Sequence, residues 1–166
     1  MTERPLVETI PSEERPAAFQ RLAVASFINQ GFVFLVYFFG LFASLMLASM
    51  DVEDAVELVR TSMWIPLDEQ SMEELEANTR MLHDHGTALM LVLILRTVAR
   101  FVGVLRMWHR HSDGFHIYTT AQLLGILLPM LIAGNELFSF TGLLAAGLWC
   151  LLYHGQRAWW RPAWAA

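Results

Sequence analysis

The feature that most constrains this chain is a stretch from Leu22 to Met50 that contains no charged residue. A helix rises about 1.5 Å per residue, so about 20 apolar residues cross the hydrocarbon core of a bilayer. The stretch is therefore long enough to span a membrane and still tilt or protrude. A polar, acidic segment precedes it instead of the short basic start of a signal peptide, so we expect it to remain as a membrane anchor.

Three further apolar stretches predict three further membrane helices. The stretch at 86–108 contains three arginines, and the stretches at 117–134 and 137–155 are separated only by Asn135 and Glu136. The last two are together too long for one crossing and predict a tight helical hairpin. None of the stretches shows the period-two alternation of a membrane barrel strand, which favours helices.

The whole sequence predicts an all-α integral membrane protein with one domain, residues 1–166. The predicted fold is an antiparallel four-helix transmembrane bundle with helices at about 22–50, 86–108, 117–134 and 137–155. An acidic, partly helical external loop occupies 51–85, where Ser71 and Glu74 have the spacing of a capping box and predict a helix start. Charged residues make up only 16% of the chain, against about a quarter in soluble domains, which agrees with lipid as the surrounding solvent.

The arginines predict the orientation. Lysine is absent, and seven of the eleven basic residues flank the predicted helices on one side: Arg4, Arg15, Arg21, Arg106, Arg110, Arg157 and Arg161. The positive-inside rule then places both termini in the cytoplasm and the acidic loop outside. A lysine-free, arginine-rich composition is typical of a GC-rich bacterial genome, so we expect a multi-pass protein of the bacterial inner (cytoplasmic) membrane.

Two arginines inside the second predicted span indicate a polar cluster. Arg96 and Arg100 are one helical turn apart and share a helix face, and a guanidinium in hydrocarbon costs at least about 2.5 kcal/mol, so both should face protein or water. Five polar residues of the first and third spans lie at similar depth: Asn29, Gln30, Thr119, Thr120 and Gln122. We expect the seven to form one intramembrane cluster. It is either a hydrogen-bonded network that locks the helices together or a site for an anion, a lipid headgroup or a substrate.

Tryptophans at the arginine-bearing side predict anchors at the membrane interface. Their amphipathic rings favour the headgroup level, where arginine meets lipid phosphate. The predicted anchors are Trp108, Trp159, Trp160 and Trp164.

The histidines predict neither a metal site nor a cofactor. His83 and His85 flank Asp84, but residues two apart do not share a helix face, so these weak candidates could hold zinc or copper only if the segment were not helical. Three others lie at or beyond the ends of the predicted spans, whereas haem ligands of helical bundles lie on facing helices within the membrane: His109, His116 and His154.

No catalytic signature occurs in the sequence, which lacks a nucleophile elbow, a zinc-protease helix and a phosphate loop, and no basic patch suits nucleic acid. We expect a non-enzymatic accessory or interaction subunit that contacts the lipid bilayer and holds a membrane-protein partner or a second copy of itself. The alternative is a small transporter or channel that binds an anionic solute or lipid headgroup at the arginine cluster. A redox or metal-binding protein is the third interpretation.

Overall fold

A computed structural model describes residues 15–64, 68–134, 137 and 139–160. Every secondary-structure element among these residues is a helix. In chain order these are α1 (Ala17–Ala48), α2 (Val52–Ser62), α3 (Glu69–Trp108), α4 (Asp113–Ala133), α5 (Phe140–Gly155) and α6 (Arg157–Trp160). Among the described residues, α1, α3 and α4 are long and apolar enough to cross a membrane. The all-helical class and the membrane-spanning character of the protein agree with the sequence. The fourth predicted span corresponds to α5, which has only 16 residues.

The clearest difference from the predicted boundaries is in α3. The sequence predicts a crossing that begins at about residue 86, whereas α3 is one helix of 40 residues that begins at Glu69. Its N-cap is Asp68 instead of Ser71, because the Asp68 carboxylate accepts a 3.0 Å hydrogen bond from the Ser71 backbone N–H. This bond lowers the pKa of Asp68 below its ordinary value. Residues 69–85 are thus a polar continuation of the membrane helix.

The central element is α3, which packs antiparallel to α1 on one side and to α4 on the other. Phe27 of α1 meets Phe101 of α3 with ring centroids 5.1 Å apart. Further along, a Cβ added at Gly86 of α3 would lie 2.9 Å from the Ser44 Cβ of α1, so the two helices approach closely there.

The acidic segment folds back as a second helix. α2 packs on the polar part of α3 and buries Ala55 and Val56. The Arg80 guanidinium donates to both carboxylate oxygens of Glu53 at 3.0 and 3.1 Å. We call α2 together with residues 69–85 of α3 the acidic helical pair.

The opposite end of the molecule carries an aromatic cluster that joins five helices, with Met107 and Trp108 of α3 among its members and neighbours. Phe19 of α1, Tyr118 of α4, Tyr153 of α5 and Trp160 of α6 are all buried there. Trp160 stacks on Phe115 with centroids 5.1 Å apart, and its indole N–H donates to the Tyr153 carbonyl at 3.4 Å. This aromatic cluster brings the ends of the described chain together.

Candidate functional site

The site with the most unusual chemistry is Arg96, which lies in the apolar part of α3 on the side that faces α4. Its Nη2 donates a 2.7 Å hydrogen bond to Oε1 of Gln122. The Gln122 amide nitrogen donates in turn to the Tyr118 hydroxyl at 3.2 Å. Tyr118 and Gln122 are four residues apart on α4 and so share a helix face. Gln122 is thereby held with its oxygen toward the guanidinium.

A glycine on α4 makes room for the arginine side chain. A Cβ at Gly125 would overlap the Cδ and Nε atoms of Arg96, so any larger residue would displace that side chain. Gln122 and Gly125 are three residues apart and lie on the same face of α4. Neither Gly125 nor Tyr118 was predicted from the sequence as a site residue. Their spacing of three and four residues from Gln122 is the signal that could have found them.

The positive charge of the site is only partly compensated. Among the described residues, the buried Nε atoms of Arg96 and Arg100 have no hydrogen-bond partner. An unmade buried hydrogen bond costs about 1–3 kcal/mol, and more when the group is charged. The Arg100 guanidinium carbon lies 5.6 Å from the centre of the Tyr118 ring, which gives it a cation–π contact.

Carboxylates are scarce in this part of the chain. Between residues 86 and 155 the sequence contains only Asp113 and Glu136. Asp113 already pairs with Arg106, whose Nη2 lies 2.6 Å from the carboxylate. No ion pair recorded among the described residues involves Arg96 or Arg100.

Arg96 also lines a cavity of about 330 Å³ between α3, α4 and the start of α5, called here the Arg96 cavity. Most of its lining is apolar, and the lining residues that matter most are Leu89, Met90, Leu93, Ile126 and Pro129. A second cavity of about 260 Å³ touches Arg96 and Gly125 between α3 and α4. A guanidinium stays protonated in proteins, so Arg96 can donate hydrogen bonds to an anion or another acceptor oxygen. It cannot serve as a general acid or a general base.

The structure divides the predicted polar cluster. Arg96, Arg100 and Gln122 lie at the α3–α4 interface, whereas Gln30 is buried and donates to Ser26 of its own helix at 2.8 Å. The other three do not join the arginines by any recorded bond: Asn29 and Thr120 are exposed, and the half-buried Thr119 has its side chain against the Cys150 thiol of α5. The prediction grouped these residues by depth along their helices, and helix rotation separates them.

The tryptophans pack against protein more than was predicted. Trp160 is 2% exposed, so its ring lies inside the aromatic cluster. Trp108 and Trp159 are half-buried, and the Arg15 guanidinium carbon lies 3.6 Å from the centre of the Trp108 ring. Trp164 lies outside the described residues.

The histidine candidates lie on a continuous helix. His83 bonds to Asp84 at 2.9 Å and to the Met50 carbonyl at 3.0 Å, so its ring joins α3 to the end of α1. His85 is exposed on another face of the helix, as the spacing requires. No group of three metal-binding side chains occurs in the part of the chain that the structure describes.

Comparison with protein-family models, with curated proteins and with solved structures finds no match to this chain.

Proposed function

We propose that this protein is a non-enzymatic multi-pass membrane subunit that holds a basic partner protein through the acidic helical pair. The observation that carries the proposal is Trp64, which follows the end of α2 and is 98% exposed. Tryptophan is the residue type most enriched among the binding hot spots of protein interfaces. Met63 beside it and Leu58 on α2 are also exposed, so the tip of the pair presents a small apolar patch.

The position of the patch argues against contact with lipid. α2 follows the end of α1 and runs antiparallel to the polar part of α3, because Met50 contacts His83 while Glu53, further along the chain, pairs with the earlier residue Arg80. Residues 69–85 extend about 25 Å at 1.5 Å per residue, so the tip lies well beyond the apolar segments. An exposed apolar patch far from the bilayer fits a protein contact better than a membrane contact.

The charge of the pair selects the partner. Residues 51–85 contain ten carboxylates and only two arginines. Two copies of such a surface repel each other, which argues against a symmetric homo-oligomer through this face. A complementary partner is the lysine- or arginine-rich extramembrane part of another membrane protein.

We further propose four crossings, with both termini in the cytoplasm of a bacterium and the acidic helical pair outside its inner membrane. The arginine distribution supports this orientation, since Arg15, Arg21, Arg110 and Arg157 all flank helix ends remote from the acidic pair. α5 spans about 24 Å at 1.5 Å per residue, and a short helix can cross if the bilayer thins around it.

Photo-crosslinking in the native membrane tests the partner surface. A benzoylphenylalanine in place of Trp64 is expected to give one discrete adduct with another protein, and the adduct should weaken when salt is raised. The matched control is the same probe in place of Leu151, which is 70% exposed on the apolar face of α5 and should give no such adduct.

Charge reversal adds a second readout. Replacing the exposed Glu73 and Glu74 by lysine should abolish the adduct without changing the amount of protein in the membrane. An adduct only with a second copy of this chain, or none at position 64, would show that the proposed partner surface is wrong.

A further inference from the structure

The inference starts from the depth of Arg96. Ten residues separate it from Gly86 and twelve from Trp108, so it lies about 15 and 18 Å from the two ends of the apolar part of α3. Snorkelling to either surface is therefore difficult, and the observed side chain instead lies across Gly125 into α4. The charge stays near the middle of the apolar layer.

The hydrogen-bond partner that the protein provides for the Arg96 guanidinium is a neutral amide oxygen. Gln122 takes one N–H of the guanidinium, while the Nε–H is buried without a partner among the described residues. Arg100 adds a second positive charge one turn away. A cation that lies in an apolar layer without a paired anion is unfavourable, so the site favours a ligand that carries a negative charge.

The shape of the Arg96 cavity restricts that ligand. Along α3 its lining runs from Met81 to Arg96, which is about 22 Å at the helical rise. A volume of about 330 Å³ spread over this length gives a narrow space with room for one hydrocarbon chain. Leu89 and Ile126 are among the apolar walls, and Arg96 provides the charge at one end.

We propose that the Arg96 cavity binds a long-chain fatty acid as its carboxylate, with the carboxylate on the Arg96 guanidinium and the single acyl chain along the apolar walls. A carboxylate accepts from the guanidinium N–H groups that Gln122 does not take, and it forms the strong, charge-assisted hydrogen bonds that guanidinium favours. The apolar walls replace water around the chain. This proposal is independent of the partner surface at Trp64, because neither Trp64 nor the exposed apolar residues beside it line the Arg96 cavity.

Binding of radiolabelled palmitate to the purified full chain in detergent tests the proposal. We expect saturable binding that falls about tenfold or more in Arg96→Gln, because the charge-assisted bonds are lost. Methyl palmitate, which has the chain without the charge, should not compete. Inorganic phosphate, which has charge without the chain, should not compete either.

Two further variants make the result decisive. Arg106→Gln removes an arginine that pairs with Asp113 outside the cavity, so palmitate binding should be unchanged. Ile126→Trp keeps Arg96 but fills the cavity, and should abolish binding; it decides the matter if Arg96→Gln does not fold.

Three results would overturn the proposal. Equal binding of methyl palmitate would show that the charge plays no part. Displacement of palmitate by phosphate would identify a small-anion site instead. Unchanged binding in both Arg96→Gln and Ile126→Trp would place the fatty acid elsewhere on the protein.

Discussion

At the scale of single residues, two glycines determine how closely α3 and α4 approach. A Cβ at Gly103 would lie 2.8 Å from the Tyr118 backbone nitrogen and 2.9 Å from the Gly114 carbonyl oxygen. A Cβ at Gly114 would lie 2.6 Å from the Gly103 carbonyl oxygen. The obstructing atoms belong to the backbone, so no rotamer change can relieve the overlap. This contact fixes the spacing of the two helices that carry Arg96 and Gln122.

We predict that Gly103→Ala destabilises the protein by about 1–3 kcal/mol, as overpacking commonly does. The control is Gly147→Ala on α5, where nothing lies within 4 Å of the added Cβ. That change should be neutral or stabilise the protein by about 0.5–1 kcal/mol, because alanine favours helix more than glycine. Thermal unfolding in detergent measures both, and equal stability of the two variants would contradict the close α3–α4 contact.

At the scale of elements, α5 differs from the other apolar helices. Only Ala146 and Tyr153 are buried on it, and its other large side chains are mostly exposed: Phe140, Leu143, Leu144, Leu148, Leu151 and Leu152. An all-apolar, exposed surface is suited to lipid and not to water. α5 contacts α4 and ends in the aromatic cluster, so it lies beside α4 as the second arm of a hairpin.

Cysteine labelling tests whether α5 crosses the membrane. In a Cys150→Ser background, we predict that Ser62→Cys reacts with an impermeant maleimide in intact cells, because residue 62 lies on the acidic helical pair. His111→Cys, in the turn between α3 and α4, and Ala166→Cys, at the C-terminus, should react only after permeabilisation. Labelling of Ala166→Cys in intact cells would place the two chain ends on opposite sides and remove the fourth crossing.

At the scale of the whole molecule, the aromatic cluster connects elements that are far apart in sequence. The Phe19 ring lies 6.3 Å from both Trp108 and Tyr153 and 6.2 Å from Trp159, measured between centroids. Large aromatic side chains bury much apolar area and gain further from edge-on contacts. The cluster therefore holds α1, α3 and the α5–α6 segment together at the end opposite the acidic helical pair.

We predict that Trp160→Ala lowers the stability of the protein by about 3–5 kcal/mol, as loss of a buried aromatic ring does. Trp64→Ala is the matched control, because that ring is 98% exposed and its removal should leave stability unchanged. Thermal denaturation in detergent compares the two. If both variants melt alike, the packing of Trp160 does not contribute to the fold.

The all-helical membrane class could be predicted because the length of each apolar stretch is enough to indicate a membrane helix there. A stretch of about 20 apolar residues favours a membrane helix whatever its neighbours are, so α1, α3 and α4 follow from the sequence. The start of α3 at Glu69 could not be predicted with the same ease, since a polar helix that continues a membrane helix leaves no break in the pattern. The sequence predicted the cap at Ser71, but the Asp68 carboxylate caps the helix by accepting the Ser71 backbone N–H.

The sequence by itself determined which residues lie in stretches long and apolar enough to cross a membrane, Arg96 among them, because this follows from length, charge and the rise of a helix. Only the tertiary structure decided what those residues contact. The rotation of the helices about their axes pairs Arg96 with Gln122 and leaves Gln30 bonded to its own helix. The packing of α6 against the start of α4 buries Trp160. Both the helix rotation and the position of α6 depend on side-chain packing between distant segments, which no single stretch of sequence contains.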